Sequence, residues 1–482
     1  MITSSRHQII KPDIVKSEIT KTEIIKTKSM NKPGQRSLFG TDGIRGMAGH
    51  FPLDVRTTRL MGRALGHYLA KNKSGSRVVI GEDTRESSGW IAESVAAGLR
   101  EAGVGVEGAG VITTPGVAFL ARTRKFEAGI VISASHNPWT DNGIKIFGHD
   151  GYKLPDDVEL EIEREIFELL ESGTTDEMKP ALAPVAGLHQ LYAAWLSAHV
   201  ERAELHRIKV VVDCANGAAS AFAPEVFEDC GVEARFVHNQ PNGKNINENC
   251  GALHPEIVAR EMAGSGADVG ITFDGDADRS LFADARGNVV NGDAVLLLVA
   301  REWKSRGMLK GNVVVGTTMS NMGVEKALAE AGIRMLRAPV GDKYVLEEMR
   351  KSGAELGGEQ SGHIIFRDGE ATTGDGLLTA LRLLEIVARQ GKPLAELLAD
   401  LKVFPQTIRN VRVREKKPLE GIPEIAQEIR AAEAALDGSG RVIVRYSGTE
   451  PLARVMVEAE SEEQMNKSAE RLVGAIQRAL GV

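Results

Sequence analysis

One arrangement recurs three times after residue 75: an apolar, β-branched run, a polar turn, a helix-patterned segment and a glycine that stops it. The runs are Val78-Val79-Ile80, Val210-Val211-Val212 and Val313-Val314-Val315, and the stops are Gly103, Gly231 and Gly332, each followed by Val or Ile. In the first unit Ser87 or Ser88 can cap a helix that carries Ile91, Val95 and Leu99 on one face. Strand, helix and strand in repetition imply parallel sheets covered by helices, because parallel neighbours need a crossover. Three related α/β domains with mixed or parallel sheets are therefore expected. The remainder breaks the pattern. Strand-like Val411 to Arg414, Arg441 to Val444 and Val455 to Glu458 surround a helical stretch near Ile422 to Leu436, and Ser461-Glu-Glu-Gln464 opens a last helix bearing Leu472, Ile476 and Leu480. This predicts a smaller C-terminal α+β domain. The expected division is 1–36 as a disordered extension, then 37–186, 187–291, 292–403 and 404–482. Within the extension a five-residue echo on Lys11, Lys16, Lys21 and Lys26 matches neither helix nor strand, and Met30 is the favoured initiator.

Charge and cysteine usage exclude several function classes. Lys and Arg total 59 against 66 Asp and Glu, a formal net charge of −7, and the charges are scattered rather than blocked. A nucleic-acid partner is not expected. No stretch approaches the run of about 18 apolar residues that would span a bilayer, so a soluble, cytoplasmic chain without a membrane partner is expected. Cys214, Cys230 and Cys250 lack CxxC spacing and the histidines form no HxxxH pair, which disfavours a disulfide scaffold and structural zinc.

Four loops carry chemistry. Gly129-Ile-Val-Ile-Ser133 runs into Ala134-Ser135-His136-Asn137-Pro138, which offers a hydroxyl at the exposed end of a buried strand. A Ser-His-Asp hydrolase is less attractive, since adjacent Ser135 and His136 point to different sides of an extended backbone and no GxSxG is present. After Val269 to Phe273 comes Asp274-Gly-Asp276-Ala-Asp278-Arg279, whose alternating carboxylates repel one another unless a hard cation or an arginine intervenes. The EF-hand register fails, because Arg279 would stand at the glycine position and Ala285 at that of the bidentate glutamate. Gly358-Glu359-Gln360-Ser361-Gly362-His363 can pair with adjacent sugar hydroxyls, and Arg445-Tyr446-Ser447-Gly448-Thr449 makes a phosphate cradle. Gly103 to Gly108 matches GxGxxG, but it follows a helix and opens none; it reads as a helix stop and turn.

Taken together, and with the opening Phe39-Gly40-Thr41-Asp42-Gly43-Ile44-Arg45-Gly46, the four loops resemble the α-D-phosphohexomutase superfamily in family order from about Ser37 to the end. Within it the branch acting on glucosamine phosphates is most similar, since Gln360 follows the glutamate where mannose and glucose enzymes usually carry Met. The resemblance implies a heart-shaped four-domain enzyme. Ser135 would be the phosphoserine and, with Asp274, Asp276 and Asp278, would hold one Mg²⁺; Lys145 would move the proton, with Arg45, Arg279 and His136 beside it. Glu359 and Ser361 would read sugar hydroxyls, and Arg445, Ser447, Gly448 and Thr449 would bind the phosphate that stays in place. It further implies a phosphosugar substrate, a sugar bisphosphate such as glucosamine 1,6-bisphosphate as intermediate or activator, and room for a homodimer. Tyr446 and Ala277 depart from the commonest pattern, which has Pro and Gly there. A phosphomannomutase/phosphoglucomutase is the closer rival, and a non-catalytic phosphosugar-binding protein the remote one.

Overall fold

The computed structural model describes residues 37–40, 42–172, 182–367, 371–447 and 451–482. The extension expected at 1–36 and the loop residues Gly448 and Thr449 lie outside the described residues.

Four sheets follow one another along the chain. The first contains β1 (Phe39–Gly40), β2 (Gly43–Met47), β3 (Arg77–Glu82), β4 (Gly105–Val111), β5 (Ala128–Ile132) and β6 (Asp141–Gly148), in the order β1-β2-β6-β5-β3-β4. The second contains β7 (Lys209–Asp213), β8 (Glu233–Val237), β9 (Val269–Phe273), β10 (Ser280–Asp284) and β11 (Val289–Val290), in the order β11-β10-β9-β7-β8. In the third, β12 (Val313–Thr317), β13 (Arg334–Ala338), β14 (Leu356–Gly358) and β15 (Ile364–Phe366) run β13-β12-β14-β15. The C-terminal sheet has β16 (Gln406–Arg412), β17 (Gly440–Tyr446) and β18 (Leu452–Ala459) in the order β16-β18-β17, all antiparallel.

The repeat predicted from the valine runs is present, with an addition. Each of the first three sheets has a parallel trio, β4-β3-β5, β8-β7-β9 and β13-β12-β14, whose middle strand is the valine run. In each, the trio's last strand turns back into an antiparallel neighbour, β5 into β6, β9 into β10 and β14 into β15. The connecting turns are too short for a parallel crossover, so a hairpin is the only geometry open to them. The sheets are therefore mixed. The three turns hold Ser135, the Asp274 to Arg279 segment and the Glu359 to His363 segment.

Strand faces show why the runs read as continuously apolar. Val78, Ile80, Ile130 and Ile132 face the Ser88–Glu101 helix through Ile91, Val95 and Leu99, while Val79 and Val131 bury on the opposite side with Val117 and Leu120. That helix meets the one at Val55–Asn72 backbone to backbone. A Cβ on Gly98 would stand 1.9 Å from the Arg59 carbonyl oxygen, and one on Gly62 would stand 2.1 Å from that of Val95. Gly103, Gly231 and Gly332 all take positive φ as stops. The capping expectation fails: Ser87 precedes the helix but makes no cap bond, its hydroxyl accepting from Asn142 Nδ2 at 2.8 Å, while Ser88 donates to Asp83. The Gly103-to-Gly108 segment is corrected too, since after the stop it enters β4 instead of a turn.

One apolar core runs from Tyr192 to Leu394 and unites the second and third sheets with their helices. The first and last sheets have cores of their own. The last is tied to the third through Arg441, which donates to the Thr318 and Ser320 carbonyls at 2.8 and 2.6 Å and pairs with buried Glu458 at 2.5 Å. Among the described residues, no helix is long and apolar enough to cross a membrane.

Candidate active site

Ser135 sits at the end of β5, 1% exposed, with φ of +54°. An L-residue in that region costs about 1–2 kcal/mol, so the surroundings must hold it there. Its N–H donates to Ser133 Oγ at 2.9 Å, and Ser133 Oγ donates to Asp83 Oδ2 at 2.6 Å. Its carbonyl accepts from Arg85 Nη2 at 3.0 Å and from Asn247 Nδ2 at 2.9 Å, and both donors also reach the Asn137 carbonyl, at 2.8 and 3.1 Å. Arg85 belongs to the first repeat and Asn247 to the second, so the loop is gripped from both sides of the domain junction. The left-handed turn corrects the expectation that Ser135 and His136 diverge: the serine Oγ lies 3.1 Å from His136 Nδ1. No hydrolase triad results, because the serine hydroxyl itself donates to Asp274 Oδ2 at 2.6 Å and the imidazole's neighbour is Arg279, at 3.4 Å.

The carboxylates form the floor. Asp274, Asp276 and Asp278 are all buried, with ligating oxygens within 4.8 Å of one another. Asp276 is anchored across the junction by Thr114, whose hydroxyl donates to Oδ2 at 2.5 Å and whose N–H donates to the main-chain oxygen at 3.0 Å. Lys145, at 2% exposure, reaches Asp276 at 2.9 Å, Asp42 at 3.1 Å and Asp278 at 3.2 Å. Burial opposes charge on this ammonium, but those three carboxylates outweigh burial and raise its pKa well above that of an ordinary lysine. Burial, reinforced by Asp278 and Asp276, lifts Asp274 well above the usual carboxylate range. Burial pushes Asp278 the same way, yet Lys145, His363 and Arg279 hold it at about 2. His136 is driven down to about 4 by burial and then by Arg279 and Arg45, so it is neutral at neutral pH.

The donor set fits a hard divalent ion. Asp276 Oδ1 and Asp278 Oδ1 are buried without a hydrogen-bond partner, and the Asp274 pair with Ser135 places a fourth oxygen beside them. Oxygen ligands with free lone pairs at one point, in surroundings that resist three uncompensated charges, are what Mg²⁺ requires.

The other expected residues are placed less uniformly. Arg45 joins the cluster through Asp42, at 2.5 Å, and Arg279 reaches Asp278 at 3.7 Å. Glu359 is buried and accepts from the Gly341 N–H at 2.9 Å, whereas Ser361 is exposed. Arg445 is exposed on the C-terminal sheet, and the buried Ser447 offers its carbonyl to Lys416 at 2.6 Å. Sequence reasoning missed Asp83, Arg85, Thr114, Lys153, Asn247 and Asp342. Lys153 bridges Asp42 and Asp342 at 2.5 and 2.6 Å, which joins the first repeat to the third, and His363 stands 3.7 Å from Asp342. Two signals were available. Asp83 and Arg85 are charges set just beyond a buried strand, and Asn242, Asn245, Asn247 and Asn249 mark a segment built for left-handed turns; φ is +58° at Asn247 and +51° at Asn249.

Asn247 is expected to matter through geometry. Asn247→Ala should lower kcat by about 10- to 100-fold with KM little changed, as a slightly misplaced reacting group does. The loss of the hydrogen bonds should cost about 1–3 kcal/mol of stability. Steady-state kinetics and a urea melt of the variant read both.

Models of four phosphoglucomutase/phosphomannomutase domains match in order: α/β/α domain I over residues 36–172, domain II over 190–287, domain III over 291–404 and the C-terminal domain over 409–475. A phosphoglucosamine mutase of Koribacter versatilis is 60% identical over 460 residues, which are 94% of this chain and 99% of that one. The crystal structure of a Burkholderia thailandensis phosphoglucomutase/phosphomannomutase family protein aligns with a TM-score of 0.76 at 26% identity, over 92% of this chain and 99% of the other. An Aspergillus fumigatus N-acetylphosphoglucosamine mutase, solved with GlcNAc-6P and magnesium, shares the fold at a TM-score of 0.65 and 19% identity, covering 95% of this chain and 98% of its own. The chain belongs to the phosphoglucomutase/phosphomannomutase family and, within it, to the phosphoglucosamine mutases.

Proposed function

We propose that the chain interconverts glucosamine 6-phosphate and glucosamine 1-phosphate, with Ser135 as the residue that carries the phosphoryl group. The observation that carries this reading is the buried Ser135 hydroxyl, 2.6 Å from Asp274, beside a carboxylate cluster that Lys145 and Arg279 also contact. Phosphorylated Ser135 gives its phosphoryl to the free hydroxyl of the sugar phosphate: the bond from phosphorus to serine oxygen breaks, one to the sugar oxygen forms, and the proton that the sugar hydroxyl loses is balanced by the one that the serine oxygen gains. The resulting bisphosphate turns over and returns its other phosphoryl to the serine, so the net change is isomerisation and the enzyme ends as it began.

The chain's own residues divide the labour by charge. Arg279 and Arg45, at the edge of the carboxylate cluster, would stabilise the negative charge that spreads over the transferring oxygens. Lys145 enters as an ammonium and can give a proton to the oxygen that departs, while Asp276 and Asp278 hold its Nζ in place. Neutral His136, 3.1 Å from the serine Oγ, can accept a hydrogen bond from that hydroxyl once it is free. Asp274, Asp276 and Asp278 would hold Mg²⁺, which when bound supplies positive charge against the phosphoryl oxygens. Magnesium in the Aspergillus fumigatus structure supports that choice of ion. Glu359, held by the Gly341 N–H, and Ser361 would read sugar hydroxyls, and Arg445 and Ser447 with Gly448 and Thr449 would bind the phosphate that stays in place.

Ser135→Ala is expected to lower kcat on the order of 10³-fold or more and to abolish the phosphorylated peptide. Mass mapping of freshly purified active protein should place one phosphoryl on Ser135; phosphate found elsewhere with Ser135→Ala fully active would refute the assignment. Excess chelator should stop turnover, with recovery on adding Mg²⁺, and undiminished activity in chelator would remove the metal from the mechanism. In a coupled assay glucosamine 6-phosphate should exceed glucose 6-phosphate and mannose 6-phosphate in kcat/KM, by about 10- to 200-fold if a single small substituent is read. Equal or better values on the neutral sugars would make the chain a phosphoglucomutase/phosphomannomutase in practice.

A further inference from the structure

A second group of side chains able to ligate a metal lies in the second repeat, apart from the three-aspartate cluster. Asp213 ends β7, His238 follows β8, and Cys250 precedes the short turn at Gly251–Leu253. A carboxylate oxygen, a ring nitrogen and the thiol sulfur of these residues come within 4.8 Å of one another. We propose that Asp213, His238 and Cys250 form a second metal site, for a thiophilic divalent ion such as Zn²⁺, with water as the fourth ligand.

The free valences are in place. His238 Nδ1 lies 3.2 Å from Asp213 Oδ1 without the alignment of a hydrogen bond, and it is buried with no other partner. Asp213 is wholly buried, and each of its oxygens accepts one backbone N–H, Ala215 at 2.9 Å and Gly251 at 3.0 Å, which leaves a lone pair on each. Burial, then the carboxylates of Asp213 and Glu248, push the Cys250 thiol up to about 12. A cation there replaces the thiol proton: the metal–sulfur bond forms and the proton leaves to solvent. One sulfur, one imidazole nitrogen and one carboxylate oxygen suit a tetrahedral, borderline-soft ion and are a poor set for Mg²⁺, which takes oxygen in octahedral array. Entry is past the imidazole, whose side chain is 35% exposed while that of Asp213 is fully covered.

The location links this site to the reaction. His238 and Cys250 are the two ends of the segment that carries Asn247, the donor to the Ser135 and Asn137 carbonyls. An ion joining those ends to β7 would fasten the support behind the serine loop without touching substrate.

Co²⁺ is the probe, added to the full chain with Mg²⁺ in excess to fill the three-aspartate site. A sulfur-to-cobalt charge-transfer band should titrate to one ion per chain, persist in Asp276→Asn and vanish in Cys250→Ser. His238→Gln, a change at a partly exposed side chain, should weaken Co²⁺ and Zn²⁺ binding at least about tenfold. Zn²⁺ should raise the Tm of the wild-type chain and leave that of Cys250→Ser unmoved. No band, a band that survives Cys250→Ser, or unchanged affinity in His238→Gln would overturn the proposal; the last comparison decides it even if Cys250→Ser does not fold.

Discussion

The buried carboxylates of the β9–β10 turn set the terms for the rest of the molecule. Asp274, Asp276 and Asp278 are withdrawn from water at one point, and an uncompensated charge in such a place costs several kcal/mol. The second repeat meets part of that cost with Arg279, but the first repeat supplies Lys145 and Thr114. Asp42 and Lys153 extend the same chain of charges to Asp342 of the third repeat. Charge balance therefore works as a docking force: the domains fit because each holds what another lacks. Removing one member would strand its partner in a dry site, which is more damaging than the net worth of any pair.

The repeat explains why the chemistry collects there. In all three sheets the chain runs along a parallel trio and then folds back, and the turn at that reversal is the one that bears the candidate site residues. Three copies of one supersecondary unit, assembled with their reversal turns together, bring a hydroxyl, three carboxylates and the Glu359 to His363 turn to one place. Rigid strands hold both ends of each turn. This permits a serine with positive φ, since Arg85, Asn247 and Ser133 fix its backbone.

The C-terminal domain is held differently. Its tie to the third sheet is a short stretch of backbone, residues 317–322, gripped by two arginines. Arg337 donates to the Thr317 and Ser320 carbonyls, and Arg441 donates to those of Thr318 and Ser320. Glu458 completes the joint by accepting from the Met322 N–H at 2.7 Å. The joint is local, and beyond it the C-terminal sheet packs its own apolar core.

Much of this was legible in sequence because it is local. The valine runs and their glycine stops declare strand, helix and strand; Ser461 caps the last helix as its spacing requires, accepting from the Gln464 N–H. The spacing of Asp274, Asp276 and Asp278 puts three carboxylates on one turn whatever surrounds them. Sequence also placed Ser135 at a strand end, but it misjudged His136, because alternation of side chains assumes an extended backbone and Ser135 is left-handed. Mixed sheets were within the expected fold, but which strands turn back was not readable, since β6, β10 and β15 announce themselves only by pairing. Contacts between distant parts of the chain belong to tertiary structure alone. Asn247 meets the serine loop across 112 positions and Thr114 meets Asp276 across 162, while Asp213, His238 and Cys250 gather without any motif spacing. Periodicity and turn chemistry act over a few residues and so can be read along the chain; the compensation of buried charge and the fixing of a strained serine depend on which surfaces meet, which is decided by packing.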